Sequence, residues 1–173
     1  MMERPGDVTF QGNPLTAIGP RLKPGSKAPD FQLLANDLSV VTLSDSAGKI
    51  RLVSVVPSLD TPVCDTQTRR FNEQMDEWED RVAGYTVSAD LPFAQARWCG
   101  TAGIKRMQTL SDHRDMAFGS AYGTHIKELR LESRAVFVID GNDFIQYVEY
   151  VKEITQHPDY AAALDAVKRL VEA

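Results

Sequence analysis

Two hydrophobic rhythms run along this chain, and the shifts between them predict its elements. Val8-Thr9-Phe10, then Gln11-Gly12-Asn13-Pro14, then Leu15 to Ile18 read as a short β-hairpin around a Gly-Asn turn. Pro20, Pro24, Gly25 and Pro29 make the next stretch a stiff, irregular connection. Phe31 to Leu34 and Val40 to Leu43 predict two short strands with a turn at Asn36-Asp37, and Ser44 to Gly48 a turn or a single helical turn. Lys49 to Val56 is apolar at nearly every position, the pattern of a strand covered on both faces. Beyond it the period lengthens. Phe71, Met75, Trp78 and Val82 recur at helical spacing and predict one buried helix face.

Tyr85 to Ala89 is the next predicted strand. Asp90-Leu91-Pro92 pairs a capping side chain with a first-turn proline, so a helix is expected to run to about Cys99 and stop at Gly100, with Gly103 close behind. Met107 to Leu110 follows as a strand and Asp112 to Tyr122 as a short helix ending at Gly123. Ala135 to Ile139 and Phe144 to Val151 predict a hairpin around Gly141-Asn142. Pro158 to Val171 reads as a closing amphipathic helix that buries Tyr160, Leu164, Val167 and Leu170. Strands and helices alternate through the middle and hairpins stand at both ends. The expected class is α/β: one domain over 1–173, with a mixed central sheet, helices on both faces and an N-terminal β-hairpin.

One junction carries chemistry. The apolar strand ends at Pro57, which lacks the N–H a central strand needs, and Thr61-Pro62 has the form of a helix start. Cys64 then falls in the first helical turn. Unpaired N–H groups and the positive end of the helix dipole lie there, and both favour thiolate over thiol. An isolated cysteine is often only a small buried hydrophobe. Here strand, break, cap and position agree on a reactive one. Asp60 and Asp65 oppose it, because nearby carboxylates favour the neutral thiol, so a cation from elsewhere in the chain is needed.

Composition narrows the field. At 173 residues, with 43% hydrophobic and 25% charged positions, the chain can bury a real core. A net charge of −5, with no basic run longer than Arg69-Arg70, gives no sign of nucleic-acid binding. No stretch approaches the roughly 20 apolar residues of a membrane span, and Met1 to Asp7 has no signal-peptide core. The expected compartment is the cytoplasm, where two cysteines are more often redox-active or buried than joined in a lasting disulfide. His113, His125 and His157 are isolated and predict no metal site, and no glycine-rich loop predicts a nucleotide or other cofactor. Cys99, the only other cysteine, reads as a buried residue or half of a disulfide. No C-x-x-C is present, which argues against a general disulfide reductase.

The motif Pro57-x-x-x-Thr61-x-x-Cys64 resembles the active-site signature of the peroxiredoxins, and the rest of the chain is similar to their thiol peroxidase branch, the atypical two-cysteine type. The likeness includes Phe10 to Pro14, Ser88 to Gln95, Arg97-Trp98-Cys99-Gly100, Ala135 to Asp140, and Glu153-Ile154 through Pro158-Asp159-Tyr160. It implies a thioredoxin-like fold and a thiol-dependent peroxidase acting on alkyl hydroperoxides and hydrogen peroxide. Cys64 would be the peroxidatic cysteine and Cys99 the resolving one, joined in an intramolecular disulfide that thioredoxin reduces. Thr61 would hydrogen-bond peroxide and thiolate, and Pro57 would shield the sulfur from water. Arg134, just before a strand, would supply the missing cation. A homodimer is implied by the resemblance alone. Asp65 after Cys64 departs from close relatives and is expected to temper nucleophilicity. A redox-sensing or holdase-like protein using the same cysteine pair as a switch is the rival reading. Two helices on one sheet pack about 8–10 Å apart, whereas a disulfide needs Cα atoms within roughly 7 Å, so the two thiols are expected to be apart in the reduced protein.

Overall fold

The computed structural model describes all of residues 1–173. Eleven strands and four α-helices form two sheets. In chain order they are β1 (Glu3–Phe10), β2 (Asn13–Ile18), β3 (Gln32–Leu34), β4 (Val40–Thr42), β5 (Ile50–Val55), α1 (Pro62–Gln74), β6 (Val82–Ser88), α2 (Pro92–Ala102), β7 (Met107–Ser111), α3 (Ala117–Tyr122), β8 (His125–Ile126), β9 (Leu131–Glu132), β10 (Ala135–Ile139), β11 (Ile145–Tyr150) and α4 (Tyr160–Val171). The main sheet has the order β11-β10-β5-β6-β7-β3-β4. Its centre, β5-β6-β7, is parallel, and every flanking pair is antiparallel. A smaller antiparallel sheet, β1-β2-β8-β9, holds the N-terminal hairpin. The expected mixed sheet with helices on both faces is what the chain forms.

Alternation along the central strands divides the core in two. Val53 and Val55 of β5 and Phe137 and Ile139 of β10 point into one cluster with Phe31, Tyr85, Phe118 and Tyr122. Leu52, Val136 and Val138 point the other way, onto Phe71 of α1, Met75 just past its end, and Tyr160 and Val167 of α4. With side chains two apart sharing a face, both faces of these strands are buried, hence the unbroken apolar run in the sequence. Within that run Arg51 is nevertheless fully buried. It donates to Ser46 Oγ and the Asp140 carbonyl, and the Asp143 carboxylate lies 2.8 Å away as its counter-charge.

Several boundaries depart from the sequence expectation. The helix after Thr61 stops at Gln74, and two 3-10 turns carry the chain to Val82, which opens β6. Glu79 has φ +49°, a left-handed conformation no helix continues through. Phe71, Met75, Trp78 and Val82 still meet in one cluster, so burial was readable where the backbone was not. Helix α2 runs through Gly100 and ends at Gly103, whose φ of +69° lets its N–H reach the Cys99 carbonyl. Its N-cap is Leu91, not Asp90. Helix α3 begins only at Ala117, because the Asp112 carboxylate takes the N–H groups of Phe118 and Gly119 from a preceding loop. In the N-terminal hairpin the turn residues are Gln11 and Gly12, both with positive φ, and Asn13 pairs with Phe10. In α4, Leu164 and Leu170 are only half-buried, and Ala163 and Ala166 fill the tight contact instead.

Candidate active site

The parallel strand β5 delivers the chain to Pro57 at the edge of the core, and α1 starts after a four-residue break. Thr61 holds the N-cap position with extended backbone, and Pro62 is the first helical residue. The Thr61 hydroxyl does not cap the helix; it donates to the Ser58 carbonyl at 3.0 Å. The first-turn N–H groups are thus left without a side-chain acceptor, and an anion at the helix start is favoured by both the dipole and these donors. Cys64 occupies this turn and is completely buried, packed with Val56, Leu59 and the half-buried Trp98.

Arg134 comes from the segment between β9 and β10 and is 2% exposed. Its Nη2 donates to Cys64 Sγ at 3.3 Å and to the Ile154 carbonyl at 2.7 Å. Nε donates to the same carbonyl, and Nη1 to Gln67 Oε1 at 2.9 Å. Gln67 lies one turn after Cys64 on α1, and its amide is fixed in turn by Ser54 Oγ of β5 at 2.6 Å. No carboxylate pairs with Arg134, in contrast with the other buried arginine, Arg51. A buried guanidinium needs counter-charge, and the only ionisable acceptor it touches is the Cys64 sulfur. Tyr160, at the start of α4, senses both groups: burial pushes its phenol upward, Arg134 and Arg70 oppose that, and Cys64 adds to it.

Pro57, Thr61, Val63, Arg134, Ile154 and Phe10 line an open cleft of about 200 Å³ beside the buried sulfur. Phe10 is the tip of the N-terminal hairpin. Glu153 holds that tip in place, accepting from Thr9 Oγ1 and from the N–H groups of Gln11 and Gly12. The Gly12 N–H first, then the Thr155 hydroxyl and N–H and the Thr9 hydroxyl, hold the Glu153 carboxyl down at about 2. Roomier hollows occur, one of about 510 Å³ around Lys49, Glu79, Tyr85 and Lys105, but no cysteine lines it. No three His, Cys, Asp or Glu side chains converge on a point that could hold a metal ion.

Four of the five residues singled out from the sequence therefore meet: Pro57, Thr61, Cys64 and Arg134. Cys99 stands apart. Both thiols are free. Cys99 Sγ lies 3.3 Å from Thr109 Oγ1 on β7, and that hydroxyl gives its own proton to Asn36 Oδ1. The Asp65 carboxylate, expected to press on the thiol, is engaged elsewhere, with Arg69 at 2.9 Å and the Trp98 indole N–H at 3.0 Å. Asp90, expected as a helix cap, instead ties the loop before α1 to the end of β6, accepting from Ser58 Oγ, the Leu59 N–H and Ser88 Oγ.

Comparison with known proteins decides the family. The Redoxin family model matches residues 23–164. A thiol peroxidase of Halalkalibacterium halodurans is 62% identical over 161 residues, 93% of this chain and 96% of that protein. A thiol peroxidase of Bacillus subtilis is 55% identical over 166 residues, 96% and 99% of the two chains. The chain belongs to the thiol peroxidase branch of the peroxiredoxins. Among solved structures, a peroxiredoxin-like protein from Aquifex aeolicus superposes with a TM-score of 0.88 at 39% identity, covering 94% of this chain and 96% of the other. The fold of this thiol peroxidase is accordingly thioredoxin-like. Gln67, Ser54 and the Ile154 carbonyl were not visible as site residues in the sequence. Gln67 offered the one available signal, a polar side chain three residues after Cys64 on the buried face of an otherwise apolar helix stripe.

Proposed function

We propose that Cys64 is the peroxidatic cysteine of a thioredoxin-dependent hydroperoxide reductase, and that Cys99 resolves it. The observation that carries this reading is the buried Arg134, which has no carboxylate partner and donates to the Cys64 sulfur. A thiolate is the form of Cys64 that satisfies it. The thiolate attacks one peroxide oxygen, the O–O bond breaks, and the leaving alkoxide or hydroxide takes a proton to depart as alcohol or water. Arg134 and the uncapped first-turn N–H groups are placed to stabilise the developing negative oxygen. Pro57 and Thr61 form the wall of the cleft, Pro57 excluding water and Thr61 offering its hydroxyl oxygen to the peroxide. The Cys64 sulfenic acid then condenses with the Cys99 thiol, giving a disulfide and water. A dithiol reductant of the thioredoxin class returns both thiols. Phe10, Pro62, Val63 and Ile154 give the cleft an apolar wall suited to the hydrocarbon part of an alkyl hydroperoxide. In this reading the enzyme works in the cytoplasm as a homodimer, on the strength of its family alone.

The test is peroxide-dependent oxidation of thioredoxin by the wild type, Cys64→Ser and Cys99→Ser. Cys64→Ser is expected to consume no peroxide. Cys99→Ser is expected to react once per chain and stall as a sulfenic acid. Equal loss of the first oxidation step in both variants would overturn the assignment. Many turnovers per chain with reductant exclude a stoichiometric redox sensor, and a single turnover in the wild type would favour it.

A further inference from the structure

The two cysteine-bearing helices are joined by a contact that no part of the chemistry above requires. Asp65 directly follows Cys64, and Trp98 directly precedes Cys99. The Trp98 indole N–H donates to Asp65 Oδ1 at 3.0 Å. Arg69, one turn further along α1, pairs with the other oxygen of the same carboxylate at 2.9 Å. Its guanidinium also lies 5.7 Å from the centre of the Trp98 ring, and its Nη1 donates to the Ala102 carbonyl in the last turn of α2 at 3.3 Å. The inner part of Trp98 packs on the Val56, Leu59 and Cys64 cluster. Three side chains thus bridge the first turn of α1 and the last turn of α2, each adjoining or one turn away from a cysteine.

We propose that Asp65, Arg69 and Trp98 form a clasp that sets how fast the Cys64 sulfenic acid is resolved relative to how fast it is over-oxidised. The inference rests on the reading of Cys64 and Cys99 given above. In the clasped form Cys64 packs in its cluster, Cys99 lies against Thr109, and the two thiols are unbonded. Bringing them together requires the first turn of α1 or the last turn of α2 to leave its helix, and either movement pulls Asp65 from Trp98. Resolution is then gated by the opened population, which each clasp contact reduces. While clasped, the sulfenic acid remains beside the cleft. A second hydroperoxide can oxidise it there to the sulfinic acid, breaking its own O–O bond and leaving as alcohol. The segment beyond the clasp does not move with it. Asn72 Oδ1 accepts from the N–H groups of Lys105, Arg106 and Met107 in succession, pinning the chain where it enters β7. On the α2 side, opening is therefore confined to the stretch that carries Cys99.

The decisive measurement is the ratio of disulfide to sulfinic acid formed from one pool of sulfenic acid. Rapid quenching and mass spectrometry across a range of peroxide concentrations would measure it. That ratio does not depend on how fast the sulfenic acid is made. Trp98→Phe keeps an aromatic ring and removes the indole N–H; it is expected to raise the ratio about five-fold, the weight of one partly exposed hydrogen bond to a charged acceptor. Asp65→Ala should do at least as much. The double variant should add little to Asp65→Ala, since the bond is already gone. Asp65→Asn retains an acceptor for the indole and should give an intermediate ratio. Unchanged ratios in Trp98→Phe and Asp65→Ala, with the wild-type disulfide forming normally, would overturn the clasp alone. Absence of any Cys64–Cys99 disulfide in the wild type would overturn the proposed function and the clasp with it.

Discussion

Cys64 and Cys99 each sit in an end turn of a helix that follows a parallel strand, yet their sulfurs are given opposite roles. Cys64 accepts. The donor is a buried guanidinium, and three other groups (Gln67, Ser54 and the Ile154 carbonyl) hold that guanidinium in place. Cys99 donates. Thr109 spends its proton on Asn36, so the only hydrogen available between Thr109 Oγ1 and Cys99 Sγ is the thiol's own. The difference also extends to order. The Cys64 site is fully buried and cross-braced to β5, whereas Cys99 is half-exposed near a glycine-ended helix terminus. In the proposed chemistry the attacking sulfur is thus the braced one, and the sulfur that must travel to it is held by little.

The sharpest way to break this contrast is to remove the cation. Arg134→Met is expected to slow the first oxidation of Cys64 by about a hundred-fold, the scale of one lost donor to a developing oxyanion. Stopped-flow peroxide consumption measures it, and a loss under about three-fold would remove Arg134 from the reaction. Next comes the brace. Gln67→Met leaves Nη1 of Arg134 without its partner and should cost about ten-fold in the same step through misplacement of the guanidinium. Thr109→Val tests the other sulfur. It deletes the acceptor that holds Cys99 and should leave the first oxidation within about two-fold of wild type, the size of a substitution away from the reacting atoms. A larger loss would mean that the two sulfurs are not separate environments.

The smallest expected effect concerns a buried acid outside both sites. Glu132, two residues before Arg134, is fully buried and bonded to Thr124 Oγ1. Burial first, and then the Asp112 side chain beside it, push its carboxyl well above the ordinary range. His125, directly opposite it in the β8–β9 pair, has its imidazole pushed downward by burial. The folded protein therefore keeps a proton that the unfolded chain gives up. Stability is fullest below the ordinary carboxylate pKa and declines as pH rises through the elevated one. Glu132→Gln should flatten that decline and raise the Tm near neutral pH by about 3 °C. Parallel Tm-against-pH curves for the two proteins would count against it.

Much of the molecule was legible in the chain, for particular reasons. The central strands announced themselves because both faces are buried. The thiol's place in the first turn of a helix followed from Pro57, Thr61 and Pro62. What escaped had weak local signals. Strands β8 and β9 are two residues each, too short for any period. The end of α1 depended on Glu79 adopting a left-handed conformation that its side chain does not advertise. Asp90 was misread because a carboxylate near a helix start suggests a cap. Its partners Ser58 and Leu59, and the Trp98 partner of Asp65, lie about thirty positions away on other elements and could not be seen from neighbouring residues.

The Glu153 contact with the hairpin tip has a consequence for how this protein is made. Residues 9–12 leave the ribosome about 140 positions ahead of Glu153, whose carboxylate fixes them. At about 5–20 residues per second, the hairpin waits on the order of ten seconds for its partner. Throughout that wait the Ile154 carbonyl that orients Arg134 is also missing. A nascent chain can therefore carry Cys64 on a nearly complete sheet and still lack the carbonyl that aims Arg134 at its sulfur. In the proposed chemistry, synthesis itself keeps this thiol quiet until Ile154 has emerged.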